Sequence, residues 1–293
     1  MSLQTYAPAL EKTSAPHSPV GVFDSGVGGL SILQALQRQL PHESFVYLAD
    51  SGFAPYGERD EAFVLQRARS VLQTLLQQNQ IKALVIACNT ATALAIHVLR
   101  QEFPALPIFG VEPAIKPAAL LSHTRRIGVM ATAGTLGSAK FQELHRSLQD
   151  QAEFVLQACD GLADAIEQQW QQSDHHTVIK LCRKYLDAMG EFGSATHQID
   201  TVVLGCTHYV FVEKPLQTLL GPDVQLVSTG EAVARHTKHL LENARLLRTG
   251  PAPLSPAHRM SLLTTGDLHG LQAAGQRWLG LPHAACHKAN PPV

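Results

Sequence analysis

The sequence predicts an α/β protein of two similar doubly wound lobes, pseudo-symmetric and mostly parallel in their sheets, with the active site in the cleft between them. Three observations predict it. Short Val- and Ile-rich runs alternate with longer segments of helical period, the signature of parallel sheets covered by helices. Two of the turns that follow such runs are near copies of each other. Polar residues gather just after the runs, where ligand crevices form at the carboxyl ends of parallel strands.

The runs fall at 20–23, 45–48, 83–87, 108–111, 127–130, 201–204 and 224–227. After the first, Leu30, Leu33, Leu36 and Leu40 recur at steps of three or four while Gln34, Gln37 and Arg38 take the other side. This is an amphipathic helix, stopped by Pro41. The Gln-rich stretches 77–80 and 168–172 read as polar helix faces or ends, and His175-His176 as a solvated turn. Val85-Ile86-Ala87-Cys88-Asn89 and Val203-Leu204-Gly205-Cys206-Thr207 share an apolar, small, Cys, polar order, and Gly21-Val22-Phe23-Asp24-Ser25 is echoed by Gly128-Val129-Met130-Ala131-Thr132. Those echoes carry the expectation of two facing lobes.

Composition narrows the function classes. Of 293 residues 45% are apolar and only 16% charged, against a typical ~25%. The 23 Lys and Arg nearly balance 24 Asp and Glu, so no electrostatic case arises for nucleic acid or an anionic membrane. No apolar run approaches the roughly 20 residues that span a bilayer. The first 18 residues lack a basic start and a continuous apolar stretch and read as a loose leader, not a secretory signal. Five cysteines, at 88, 159, 182, 206 and 286 with no C-x-x-C pair, argue against a disulfide framework. Reduced thiols and a cytoplasmic address are expected.

Cys88 ends a run and is followed by Asn89-Thr90, good capping residues, which puts its thiol at a helix N-terminus. A helix dipole stabilises thiolate there and lowers a pKa otherwise about 8.5; a small core hydrophobe fits the same position. Cys206 has the same setting, with Thr207 and His208 beside it, and His208 is placed to exchange a proton with the thiol. Two thiols in matched positions on facing lobes suit a task that needs a base on each side of a substrate, such as inverting a stereocentre. A hydrolase needs one nucleophile and leaves the second cysteine unexplained. Zinc spacings such as C-x-x-C or H-E-x-x-H are missing; the nearest approach, His283-Ala284-Ala285-Cys286-His287, lies in a Pro-rich tail. No metal is expected.

Gly26, Gly28 and Gly29 form a glycine-rich turn that fits an anion on backbone N–H groups, without a dinucleotide or Walker fingerprint. Asp24 before it repels phosphate and suits an ammonium, or else caps the turn. In Ala54-Pro55-Tyr56-Gly57, Tyr56 offers a hydroxyl and Gly57 a bare N–H to a carboxylate, although these residues taken alone favour a plain loop with a packed tyrosine.

The blocks from Gly21 to Leu30, Pro55-Tyr56-Gly57, Ala87-Cys88-Asn89-Thr90-Ala91 and Leu204-Gly205-Cys206-Thr207-His208-Tyr209 resemble those of glutamate racemase, within the broader aspartate and glutamate racemases, in that family's order. The resemblance covers about Val20 to Glu231. It implies interconversion of L- and D-glutamate without pyridoxal phosphate, metal or other cofactor, supplying D-glutamate for peptidoglycan, by a homodimer with glutamate as its small-molecule partner. Cys88 and Cys206 match the two catalytic cysteines, Cys88 taking the proton from D-glutamate and Cys206 from L-glutamate. Asp24 and His208 match residues that assist the thiols and touch substrate. Ser25, Pro55, Tyr56, Gly57, Asn89, Thr90 and Thr207 match substrate-binding positions, with Thr132 and Thr135 at the corresponding turn of the second lobe. By the same likeness the first lobe comprises 19–114 plus 230–280 and the second 115–229, leaving 1–18 as leader and 281–293 as tail.

One block departs. The family usually has Cys-Pro-Leu and apolar residues before an acidic one, whereas this chain reads Cys159-Asp160-Gly161-Leu162-Ala163-Asp164-Ala165-Ile166-Glu167. Glu167 keeps the acidic position, assigned an assisting catalytic role. Val210-Phe211 also replaces Pro-Leu after Cys-Thr-His-Tyr. Two further readings stay open: aspartate racemase or a related isomerase using the same thiols, and a non-catalytic regulator that binds a dicarboxylate or a protein partner.

Overall fold

Strands that are apolar on both faces need cover on both faces, and the chain provides it by alternating strand and helix through two parallel sheets. The computed structural model describes residues 16–172, 175–250 and 259–292; most of the expected leader lies outside them. The chain runs through β1 (Val20–Asp24), β2 (Phe45–Ala49), β3 (Ala83–Ile86) and β4 (Ile108–Gly110). It then builds β5 (Arg126–Ala131), β6 (Glu153–Ala158), β7 (Thr201–Leu204) and β8 (Gln225–Val227), and returns through β9 (Met260–Thr264) and β10 (Cys286–Lys288). The sheets have the orders β10-β9-β2-β1-β3-β4 and β6-β5-β7-β8.

The pseudo-symmetry is exact in connectivity: β2-β1-β3-β4 and β6-β5-β7-β8 follow the same second-first-third-fourth order. Cys88 follows the third strand of one set and Cys206 the third of the other, while Asp24 ends the first strand of one and Thr132 follows the first of the other. The order reverses beside β1 and beside β5, so each sheet places a crevice at its strand carboxyl ends there.

Helix α1 (Leu30–Gln39) buries Leu30, Ile32, Leu33, Ala35 and Leu36 and ends before Pro41. It packs on α10 (Gly230–Asn243) and α11 (Leu268–Leu279), so the segment after residue 229 covers the first sheet. On the other face lie α2 (Glu61–Asn79), capped by the Asp60 carboxylate on Phe63 N–H, and α3 (Asn89–Glu102). Removing one such buried leucine, as in Leu33→Ala, costs about 2–5 kcal/mol.

Three strands escape the periodicity. β6 reads Glu-Phe-Val-Leu-Gln-Ala and lies half-buried at a sheet edge, so its run is interrupted by polar residues. β9 is fixed by pairing with distant β2, and β10 by pairing with β9. The expected tail at 281–293 is therefore corrected: its residues 286–288 close the edge of the larger sheet. His175-His176 opens α8 (His175–Asp187) and is no turn, because the apolar residues of this segment make an amphipathic helix with a buried face. Among the described residues no helix is long and apolar enough to cross a membrane.

Asp200 fixes the crossing from one sheet to the other, between α4 (Ile115–Leu121) and β5. Its carboxylate accepts the Ser122 hydroxyl at 2.6 Å, the His123 and Thr124 N–H groups at 2.7 and 2.9 Å and the Thr201 hydroxyl at 3.0 Å. Burial opposes the charge, but these donors outweigh it and hold the carboxyl below its usual range. A depressed pKa adds stability above the unfolded value of about 3.9 and loses it as pH falls through the folded one. Asp200→Asn is expected to cost about 2 kcal/mol at pH 7. Urea titrations should show that gap closing towards pH 3; a gap independent of pH would contradict the charged role.

Candidate active site

The cleft between the sheets holds a cavity of about 250 Å³. Cys88 N-caps α3, its Sγ accepting the Ala91 N–H at 3.4 Å with the Ser25 hydroxyl at 3.5 Å. The placement at a helix N-terminus is as the sequence indicates; the lowered pKa is not. Burial, reinforced by the Asp24 carboxylate, pushes the thiol up to about 12 against the pull of the Ala91 N–H and the Ser25 hydroxyl. A helix dipole offsets on the order of 1 kcal/mol, too little against complete desolvation. Cys88 thus rests as a thiol, and any thiolate formed there is a strong base.

Cys206 differs. It precedes a 3₁₀ turn, Thr207–Val212, and its sulfur receives no capping N–H, so its setting is not that of Cys88. Instead His208 Nδ1 lies 3.8 Å from its Sγ, and His208 Nε2 lies 2.8 Å from Glu167 Oε2. Burial alone lowers the imidazole, but hydrogen bonds to Cys206 and Glu167 hold it well above the ordinary histidine range. An imidazolium therefore stands beside Cys206. Glu167 reaches it from α7 (Leu162–Gln172), despite the altered residues that lead into that helix.

The glycine-rich turn serves a purpose other than cradling an anion. A Cβ on Gly28 would sit 2.5 Å from His208 Nδ1 and 2.6 Å from Thr207 Oγ1, and one on Gly26 would collide with Glu167 Oε2. Bare backbone there lets the second lobe bring Thr207, His208 and Glu167 against the first. Asp24 is fully buried behind the turn, accepting the Gly29 N–H with Oδ2 while Oδ1 has no partner among the described residues. Burial pushes its carboxyl up, with partial relief from His208 and Gly29. It does not line the cavity, so direct contact with a substrate ammonium is not what this geometry offers.

Ser25, Pro55, Tyr56, Gly57, Cys88, Asn89, Thr90, Thr132, Glu167, Cys206, Thr207 and His208 all line the cavity. Thr135 does not: it is buried behind Thr132, whose hydroxyl donates to it at 2.9 Å, and Thr132 meets Thr90 across the cleft at 3.0 Å. The Tyr56 hydroxyl is committed to Asp50 at 2.5 Å, so it is not free for a carboxylate. Asn89 is buried with neither amide atom partnered among the described residues, which leaves both a donor and an acceptor for a ligand.

Sequence reasoning missed Glu58, Cys159, Asp160, Asp164 and Asp267 as wall residues. Asp267 follows β9 at the cap of α11, and the post-strand turn Thr265-Gly266-Asp267 was its available signal. Asp160 and Gly161 belong to the altered block: Gly161 adopts φ +73°, and its N–H donates across the cleft to Glu58 Oε1 at 3.3 Å. Among the described residues no cluster of three or more His, Cys, Asp or Glu is arranged to hold a metal ion. The arrangement offers two thiols, one from each lobe, facing one small cavity rimmed with hydroxyl, amide and backbone donors.

Comparison with known proteins agrees on one group. The profile of the Asp/Glu/Hydantoin racemase family matches residues 21–237. A glutamate racemase of Ralstonia nicotianae is 45% identical over 270 residues, 92% of this chain and 92% of that protein. The crystal structure of a glutamate racemase isoform from Bacillus anthracis superposes with a TM-score of 0.80 at 31% identity, covering 95% of this chain and 99% of that one. The Escherichia coli glutamate racemase, solved with L-glutamate and the activator UDP-MurNAc-Ala, gives 0.78 at 28% identity over 94% and 100% of the two chains.

The Glu167 carboxylate stands second after the Cys206 contact among the influences raising the His208 pKa. Glu167→Gln is expected to lower that pKa, because an opposite charge at this range favours the charged imidazole. Side-chain ¹⁵N NMR across a pH series measures it, and an unmoved His208 titration would dismiss the pairing.

Proposed function

The chain belongs to the Asp/Glu/Hydantoin racemase family, and we propose that it interconverts L- and D-glutamate by proton transfer between two cysteines. The observation that carries this reading is the placement of Cys88 and Cys206 at equivalent strand ends of two like-ordered sheets, facing one cavity. The relatives named as glutamate racemases, at 45% identity over nearly the whole chain, supply the substrate.

The α-hydrogen of an amino acid is weakly acidic, so a strong base must meet it while fixed dipoles stabilise the charge that builds on the carboxylate. One thiolate and one thiol are required at the start of each turnover. From L-glutamate, a Cys206 thiolate with the His208 imidazolium as counter-charge takes the proton on one face; the Cys88 thiol, kept protonated by burial, delivers its own on the other. The Cα–H bond breaks as its proton forms an S–H bond at Cys206, a new Cα–H bond forms as the Cys88 S–H bond breaks, and the negative charge has moved from Cys206 to Cys88. D-glutamate runs the same steps backwards. Asn89, Thr90, Thr207 and Ser25 line the cavity with the donors that hold the substrate carboxylates.

The reading extends to a homodimer working in a bacterial cytoplasm without pyridoxal phosphate or metal, supplying D-glutamate for peptidoglycan. It is supported by the likeness to glutamate racemases and by five cysteines that are all free.

The test is incubation of the reduced protein with L-glutamate in D₂O, following the α-proton by NMR and the optical rotation, with L-aspartate alongside. Loss of both signals for glutamate is expected; the same for aspartate alone changes the substrate, and neither ends the racemase reading. Cys88→Ser and Cys206→Ser should each slow racemisation by about 10²-fold or more, Cys88→Ser sparing exchange from L-glutamate and Cys206→Ser from D-glutamate. Equal, undiminished rates in both variants would rule out the two-thiol mechanism.

A further inference from the structure

Asp50 and Arg67 form an ion pair shut off from solvent, and no step of the proton transfer uses it. Arg67 projects from α2 and forks the carboxylate, Nε to Oδ2 at 2.9 Å and Nη2 to Oδ1 at 3.0 Å. The same two oxygens also accept the Tyr56 hydroxyl at 2.5 Å and the Thr265 hydroxyl at 2.9 Å. The third side of the guanidinium donates through Nη1 to the Pro292 carbonyl at 3.0 Å, and its flat face lies 3.6 Å from the centre of the Phe53 ring.

Asp50, Phe53, Tyr56 and Thr265 all bear on one wall of the cleft. Asp50 begins the segment that leads to Tyr56, Phe53 is its middle, and Tyr56 and Gly57 face the cavity. The segment contains only two three-residue 3₁₀ turns, Ser51–Phe53 and Tyr56–Glu58, so no strand ladder sets its shape. Gly52 N–H adds a bond to Thr265 Oγ1 at 3.0 Å, in the turn that presents Asp267 to the cavity. A rigid fork with five donors can set several acceptors at once, which a point charge cannot.

We propose that Arg67 is the positioning residue of the substrate loop: through Asp50 and Phe53 it sets the wall formed by Pro55, Tyr56 and Gly57, and through the Pro292 carbonyl it makes the segment beyond β10 part of that support. The inference rests on the racemase reading for the substrate alone. Without the fork, Asp50 holds an unmatched buried charge and Tyr56 loses its fixed anchor, so the backbone donors that meet a carboxylate shift while the thiols stay in place. A misplacement of about 1 Å costs up to about 10²-fold, and here the loss falls on binding.

The experiment compares wild type, Arg67→Lys, Arg67→Met and Tyr56→Phe by steady-state racemisation of both enantiomers and by amide hydrogen exchange at residues 51–58. Arg67→Met is expected to raise KM about tenfold for L- and D-glutamate with kcat within about threefold, and to speed exchange in that loop while α3 is unchanged. Arg67→Lys should fall between, and Tyr56→Phe should show the smaller share of one lost bond. If Arg67→Met does not fold, the other two decide. A folded Arg67→Lys with wild-type KM, or with loop exchange unchanged, overturns the proposal and leaves the pair a stabiliser of the fold. A wild type inert towards glutamate removes the substrate reading instead, and loop exchange then tests the positioning role alone.

Discussion

The close approach of two strand-end turns is the constraint on which the rest of the site depends. Parallel sheets gather their carboxyl ends on one edge, and here two such edges face each other, so whatever follows β1, β3, β5 and β7 must share a narrow cleft. The turn after β1 meets the turn after β7 at Gly28, where any side chain would occupy the place of His208 and Thr207. Remove that bare backbone and His208 moves off both Cys206 and Glu167. The glycine turn is thus a contact surface between lobes, and its service to chemistry is indirect.

Equal topology does not give equal electrostatics. Cys88 sits in a capped, buried position next to a buried carboxylate, and its proton is held tightly. Cys206 has an imidazolium at its side, sustained by Glu167. The proposed reversible transfer between two faces needs one protonated and one ionised sulfur at any moment, and the two environments are accordingly unequal. Asp24 is buried with Oδ1 unpartnered among the described residues, and its charge raises the Cys88 pKa.

The walls of the cleft are held by polar groups deep inside the first lobe. The Asp50 carboxylate collects four donors, two from Arg67 and one each from Tyr56 and Thr265, and in doing so takes the Tyr56 hydroxyl away from the cavity. Burying a charged pair is costly unless its polar atoms find partners, and here both Asp50 oxygens accept two donors each and every Arg67 nitrogen donates. What such an arrangement contributes is shape: a loop without ladder bonds acquires one conformation.

The alternation of strand and helix, the repeated Cys turn and both thiols at strand ends are legible in the amino-acid sequence, because periodicity and post-strand polarity are local signals. The sequence also carried the echo of β1 in β5, which the two strand orders bear out as topology. It did not determine β6, whose polar edge face breaks the run, nor β9, whose place depends on pairing with β2 more than 200 residues earlier, nor β10, which pairs in turn with β9. Nor could it decide which groups of a motif touch the cavity. Thr135 and Asp24 turn inward, the Tyr56 hydroxyl is claimed by Asp50, and Asp267 arrives from the far end of the chain. Burial and hydrogen-bond partners are properties of the packed molecule, and they reversed the expected direction at Cys88: the helix N-terminus is local and legible, whereas the desolvation that outweighs it exists only once both lobes have closed around the sulfur.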